Sequence, residues 1–443
     1  MMMHNKFKPL TLAAAVAAAT VSGQAMAGAF QLNEQSVSAQ GTSFAGRAST
    51  VNDASIVYGN PAGMSFLSGA QVTGGTTYLM PSSDISNASG SAAGTNDGDM
   101  VPDKAIPFAY YVQPINDNLH FGLGVYAPFG LVTDYDNDFQ GRYFGDYSDV
   151  KVATIQPTIS VKFSEQFSAG FGVTYNRIEG KLGARTPGGP VGYYDSTGAF
   201  TPTGVEGDGR VVVEGDDEAW GFTWGMMYKP WQSTTFGLAY HSEVDYDLEG
   251  DANFENVRGQ GDPVNHPILG PIVPVGAASA KSDANLGISL PATWDLSVTH
   301  ELDDQWTLMG GVSLVQWGSF DKLVVENDVR EIVEEQNYEN SMQYALGASY
   351  QLNDQWVFRS GVAYDESPIS DEHRTVRVPS GDRMIYSVGA GWTPVQNLTV
   401  DVAYTYLDED TASLSEEDPE RGIYEADYDN SAHGFGAQVT YRF

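Results

Sequence analysis

From Thr154 onward the chain alternates. Ile155, Pro157, Ile159, Val161 and Phe163 fall on one side, and Thr154, Gln156, Thr158, Ser160 and Lys162 on the other. A period of two marks a β-strand, whose successive side chains leave opposite faces. The rhythm returns near the end, where Leu398, Val400, Val402, Tyr404 and Tyr406 oppose Thr399, Asp401, Ala403 and Thr405. In the last segment Phe435, Ala437, Val439, Tyr441 and Phe443 oppose Gln438, Thr440 and Arg442. After residue 27 there is no run of about 18 apolar residues, so no membrane-crossing helix is predicted.

One phrase keeps returning, a short polar turn followed by a strand, with turns at Asn118, Gln166, Gln232, Gln305, Gln355 and Gln396. The spacing between them is too uneven for propeller blades, which repeat at a nearly fixed period. Between them lie long polar segments, near 81–103, 128–149, 181–215, 250–280, 318–340, 365–382 and 408–430. Six tight turns alternating with seven long loops give thirteen connections and therefore fourteen strands. An even strand number with short turns at one end and long loops at the other is the layout of a bacterial outer-membrane barrel. A soluble β-sandwich or solenoid would also alternate, but does not need strands of ten or more residues between short turns. Trp231, Trp306, Trp356 and Trp392 lie near the turns, as an interfacial aromatic girdle requires.

The two ends of the chain refine this. Lys6 and Lys8, an apolar stretch over 9–21 and Ala25-Met26-Ala27 read as a secretory signal peptide over residues 1–27. The expected destination is the outer membrane. There is no cysteine, which excludes disulfides, thiolate chemistry and a lipid-modified cysteine. A formal charge of −35 makes nucleic acid an unfit partner. The histidines show no His-x-x-His, His-Glu-x-x-His or Gly-x-Ser-x-Gly arrangement, and residues 239–247 hold the only local cluster of catalytic types. An enzyme is not predicted, nor is any cofactor or metal. The last loop, 407–430, sets ten acids against Arg421. Such a loop reads as a solvated face, or as a site for divalent cations bridging to lipopolysaccharide phosphates.

Before the first strand stands "IVYGNPAGMSF", residues 56–66. Asn60-Pro61 disfavours helix before the proline, and Pro61 removes a backbone donor, so the chain is stopped and turned there. Residues 28–66 are rich in Gly, Ala and Ser and could not bury a core of their own.

The start of the mature chain (28–64), "LPATWDLSV" (290–298), "DESPIS" (365–370), "VPSGDRMIYSVGAGW" (378–392) and the terminal Phe443 resemble the FadL/TodX family, outer-membrane transporters of long-chain fatty acids and other hydrophobic compounds. Asn60-Pro61-Ala62 is the most specific element of the match. The resemblance implies an all-β, 14-stranded antiparallel transmembrane barrel over 67–443, with an N-terminal plug, or hatch, over 28–66. Asn60, Pro61, Ala62 and Gly63 would lock the hatch. It also implies an inward kink of the third strand, here 118–135, that opens the wall toward the membrane. Gly122, Gly124 and Pro128 are the candidates for that opening, since glycine weakens a strand and proline cannot complete the ladder. Phe129, Leu131, Tyr143 and Phe144, apolar residues in an acidic segment, are candidates for an external capture groove, or for girdle residues at the rim.

A carboxylate ligand needs a cation. Arg177 falls where the family has an arginine near its inner pocket, although alternation puts it on the same face as Phe171, Val173 and Tyr175. Where the family carries a lysine this chain has Val324, with Lys322 two residues earlier on the same face. The expected function is uptake of long-chain fatty acids or similar hydrophobic molecules by outside capture, a hatch-side pocket and lateral exit. Monoaromatic hydrocarbons by the same route, or a general diffusion porin, are the alternatives. The expected partners are the hydrophobic ligand, outer-membrane lipid and lipopolysaccharide, for a monomeric protein.

Overall fold

Fourteen strands close into one ring. The computed structural model describes residues 29–97, 99–260, 263–266, 269–328 and 332–443, so the signal-peptide expectation lies outside the described residues. The wall consists of β1 (Gln71–Gly90), β2 (Lys104–Pro114), β3 (Leu119–Tyr126), β4 (Tyr147–Lys162), β5 (Phe167–Thr186), β6 (Gly209–Trp231) and β7 (Thr234–His241). It continues with β8 (Thr293–Glu301), β9 (Trp306–Val315), β10 (Ser341–Asn353), β11 (Trp356–Asp365), β12 (Arg383–Val395), β13 (Leu398–Glu409) and β14 (Gly422–Arg442). Each strand pairs antiparallel with its sequence neighbours, and β1 pairs with β14 from Gln71 opposite Arg442, which closes the ring.

The faces are the reverse of a soluble protein's. Ile155, Ile159, Leu296, Leu346, Val402 and Val439 stand exposed on the outside, while Gln156, Ser160, Thr223, Gln438 and Thr440 are buried within. Lipid makes that arrangement favourable. At the short-turn end Trp356 and Trp392 are opposite residues of β11 and β12 and stack 5.9 Å apart.

A membrane crossing takes about 9–11 residues of tilted strand, yet β6 has 23 and β14 has 21. Much of the expected loop sequence is therefore strand that continues beyond the membrane. Val244–Gln260 and Gly270–Leu290 form a long hairpin above β7 and β8, and Ala412–Asp418 pairs back onto β14. The polar segments carry no lipid-facing apolar run, but their backbone ladder is as well satisfied in water.

Residues 29–66 pack against the inner face of the ring. They hold two short helices, α1 (Val37–Gln40) and α2 (Ile56–Gly59), and a 3-10 turn, Pro61–Phe66. Nearly all of this small, polar stretch is buried. Its hydrogen bonds run to inward side chains around the wall. The Val37 N–H donates to Gln438 on β14 (3.0 Å), Ala48 N–H to Ser297 on β8 (3.1 Å) and Ala54 N–H to Thr73 on β1 (3.2 Å). Ser65 meets Ser160 on β4 at 2.7 Å, and Ser43 meets Ser387 on β12 at 3.0 Å. The segment's polarity thus matches the polar lumen wall.

Asn60-Pro61 is the tightest part of this contact. Pro61 opens the 3-10 turn, and the Asn60 side chain caps it by accepting the Ala62 N–H at 3.0 Å. The Asn60 amide nitrogen donates to the carbonyls of Ala48 (2.7 Å) and of Met226 on β6 (3.1 Å). The wall is glycine where it is touched. A Cβ on Gly225 would overlap the Asn60 side chain, and one on Gly170 would overlap Pro61. Gly225→Val should therefore cost about 1–3 kcal/mol by overpacking. It should lower the temperature at which the folded band is lost on unboiled gels, whereas Gly74→Ala, whose added Cβ would meet only Phe108 O at 3.8 Å, should leave that temperature unchanged. Equal behaviour of the two variants would contradict the close approach.

Candidate functional site

The wall is interrupted in its third strand. β3 pairs with β2 as far as Val125 opposite Ala109, and β2 continues to Lys104 with β1 as its only strand neighbour. Beyond Tyr126 the third strand breaks at 127–129, resumes at Gly130–Asp134, and keeps its pairing with β4 alone. Pro128 has no N–H to offer a ladder. In place of β2, the N-terminal segment takes up the free groups: Leu32 N–H donates to Pro128 O (2.8 Å), and Gly130 N–H to Phe30 O (3.0 Å). Leu32, fully buried with Leu79, Ile106 and Ala127, fills the break.

Phe30 sits beside it in an aromatic cluster. Its ring lies 4.8 Å from Trp317, 5.6 Å from Phe320 and 6.2 Å from Phe129. Above this cluster is a small apolar pocket of about 60 Å³, lined by Phe30, Leu131, Ile178, Leu248, Ile288 and Phe320 among others. A larger cavity of about 470 Å³ lies further out, with Val211, Phe254, Val325 and Ile332 in its wall and Arg185, Arg258 and Arg421 on its margin. Leu182, Val213, Leu323 and Arg377 line both. An apolar surface thus runs from the outer cavity through a neck to the strand break.

Arg377 is the cation of that neck. Its Nη1 donates to the carbonyls of Tyr147 (3.0 Å) and Gly183 (3.1 Å) and to Ser148 Oγ (3.3 Å), while Nε faces Glu334 at 3.3 Å. Glu334 also lies 3.6 Å from Arg421. The half-buried Glu416 accepts the N–H of Val376, next in the chain to Arg377, at 2.9 Å. Burial pushes the Glu416 carboxyl up to about 7; Glu334 raises it further, while the Val376 N–H, Arg377 and Arg421 oppose the rise.

The residues expected from sequence are distributed unevenly over this geometry. Asn60, Pro61, Ala62 and Gly63 lie at the inner contact just described, away from both cavities. Pro128 is at the break. Gly122 and Gly124 are not: both belong to a ladder complete on both sides, opposite Val112 and Tyr110 on β2 and Thr158 and Gln156 on β4. Gly122 leaves room for Met64 and Val57, and Gly124 for the rings of Tyr110 and Tyr126. The four apolar loop residues part company. Tyr143 lines the outer cavity, Leu131 the inner pocket, and Phe129 packs at the break. Phe144 is buried in a separate loop cluster with Tyr135, Phe139 and Tyr424.

Arg177 points outward, as alternation requires, and pairs with Glu218 (2.9 Å), Asp216 (3.0 Å) and Glu179 (3.2 Å) on the exposed surface. Lys322 is exposed and lines neither cavity; its neighbour Leu323 does. Among the described residues, Arg377 is the cation that lines both cavities. It directly precedes the stretch 378–392, and with Arg374 and Arg383 it makes a run of cations in sequence that is unusual in so acidic a chain.

A family model described as "Outer membrane protein transport protein (OMPP1/FadL/TodX)" matches residues 18–443. The long-chain fatty acid transport protein of Escherichia coli is 26% identical, over 97% of this chain and 98% of that protein. Outer membrane protein P1 of Haemophilus influenzae is 30% identical over 99% of this chain and 100% of that protein. Among solved structures, a Pseudomonas aeruginosa FadL homologue superposes with a TM-score of 0.80 at 23% identity, covering 94% of this chain and 100% of its own. The Pseudomonas putida toluene transporter TodX gives 0.66 at 16% identity, covering 94% and 100%.

Because the folded pKa of Glu416 lies above its ordinary value of 4.5, its contribution to stability is full below about pH 4.5 and is lost as pH rises through about 7. The temperature at which the folded band is lost on unboiled gels should accordingly fall across that interval, and Glu416→Gln should flatten the dependence. An unchanged pH slope in the variant would contradict the assignment.

Proposed function

The chain belongs to the OMPP1/FadL/TodX family of outer membrane transport proteins, and from that premise we propose that it takes up long-chain fatty acids or similar hydrophobic molecules by lateral exit through the wall. Residues 28–66 act as the hatch of the barrel 67–443, with Asn60-Pro61-Ala62-Gly63 as its lock. The ligand is captured in the outer cavity beside Tyr143, passes the neck at Arg377 into the pocket over Phe30, and leaves at the Pro128 break once Leu32 withdraws. The protein works as a monomer within outer-membrane lipid and lipopolysaccharide.

The observation that carries this reading is continuity: the two cavities share four lining residues, and Phe30 belongs both to the inner pocket and to the break. Continuity matters energetically. Each methylene brought into water forfeits roughly 0.8 kcal/mol, so a long acyl chain needs an apolar path at every stage. The polar lumen contacts of residues 29–66 offer none. A chemistry step is foreign to this reading, since the family's members are transport proteins.

The test is steric. Ala127, fully buried at the break beside Leu32, is replaced by Trp, and the variant is matched to wild type for surface level and for unboiled gel mobility. Uptake of oleate by a transporter-deficient host should fall at least tenfold, with binding to the outer cavity retained. Undiminished uptake would mean that the ligand takes another route, and uptake of toluene but never of oleate by wild type would move the cargo to monoaromatic hydrocarbons.

A further inference from the structure

Two ion pairs inside this protein are short and enclosed. Arg383 and Asp365, on facing strands, are both nearly inaccessible and meet at 2.9 Å. Arg359 and Asp401 meet at 2.8 Å and are equally enclosed. Such pairs are geometrically locked, and removing one partner leaves an uncompensated buried charge. Glu334 differs. It reaches Arg377 at 3.3 Å and Arg421 at 3.6 Å, through single contacts, and its side chain keeps 19% of its exposure. All three residues line the outer cavity, and Arg377 lines the inner pocket as well.

The position of Glu334 is as telling as its distances. It stands opposite Leu323 in a short ladder, and Leu323 is one of the four residues common to both cavities. Arg377 is otherwise held by neutral oxygens, two carbonyls and a hydroxyl. Glu334 is the only carboxylate within ion-pair distance of it among the described residues. A guanidinium at an apolar neck favours a carboxylate partner strongly, and here the protein supplies one of its own by a loose contact.

We propose that Glu334 is a resident substitute for the ligand's carboxylate, a latch that holds Arg377 and Arg421 across the neck until an incoming carboxylate replaces it on Arg377. The proposal rests on the uptake reading above and adds a specificity rule to it. A carboxylate ligand exchanges with Glu334 and draws its alkyl chain past Leu323 into the inner pocket. An uncharged ligand of the same length exchanges with neither residue, so its binding is indifferent to the pair. The consequence is a discrimination that depends on Glu334 and Arg377 jointly.

Equilibrium binding of oleate and of oleyl alcohol to the full-length, detergent-solubilised protein tests this. Glu334→Gln removes the competing charge while keeping size and strand pairing, and should tighten oleate binding five- to tenfold with oleyl alcohol within twofold of wild type. Arg377→Gln should weaken oleate at least tenfold and spare the alcohol. In the double variant the gain from Glu334→Gln should vanish, since the two changes act on one interaction. Equal shifts for oleate and alcohol, an unchanged oleate affinity in Glu334→Gln, or a gain that survives without Arg377 would each overturn the latch. Wild type that binds neither ligand would overturn the uptake reading, and the latch with it; wild type that binds both while Glu334→Gln changes nothing would overturn the latch alone.

Discussion

Close backbone contact between residues 29–66 and the inner wall is what the rest of the structure depends on. A barrel of fourteen strands encloses more space than its own inward side chains, here mainly Thr, Ser and Gln, can fill. The inserted segment is made of the same small polar residues, so each surface satisfies the other's donors and acceptors. Contact at this distance is possible because the wall carries glycine where Asn60, Pro61 and Met64 lie against it. Buried donors and acceptors left without partners would cost about 1–3 kcal/mol each, so this matching decides whether the segment stays seated.

The seating has a second consequence at the other end of the segment. By placing Phe30 and Leu32 at the gap in the third strand, it replaces missing strand pairing with a few hydrogen bonds and a small apolar cluster. A full ladder between β2 and the outer part of the third strand would be a permanent wall. Three residues bonded at two points form a far smaller obstacle. The inner pocket ends against that small cluster, with Phe30 common to both.

The sequence makes some of this legible for physical reasons. The six short turns, the outward apolar faces and the strand number follow from a period of two that lipid on one side and polar packing on the other enforce. Asn60-Pro61 is readable as a stop because proline's limits are local. What cannot be read is what depends on distant partners. Glycine in a strand signals either a weak point or a close neighbour, and for Gly122 and Gly124 the answer lies with Met64 and Tyr110, remote in the chain. The outer strands look like loops because nothing lipid-facing marks them. Arg177 is on the outer face, where alternation puts it, against the role that the resemblance implies. Arg377 escapes notice since its position at the neck is made by segments from four parts of the chain.

The most direct test of the close internal contact is electrical. Planar-bilayer conductance of the intact protein is compared with that of a variant lacking residues 30–55, both checked for folded barrels by unboiled gel mobility. The expected result is little steady conductance in the intact protein and large, persistent channels in the deletion. Large open channels in the intact protein, or equal conductance in the two, would contradict it.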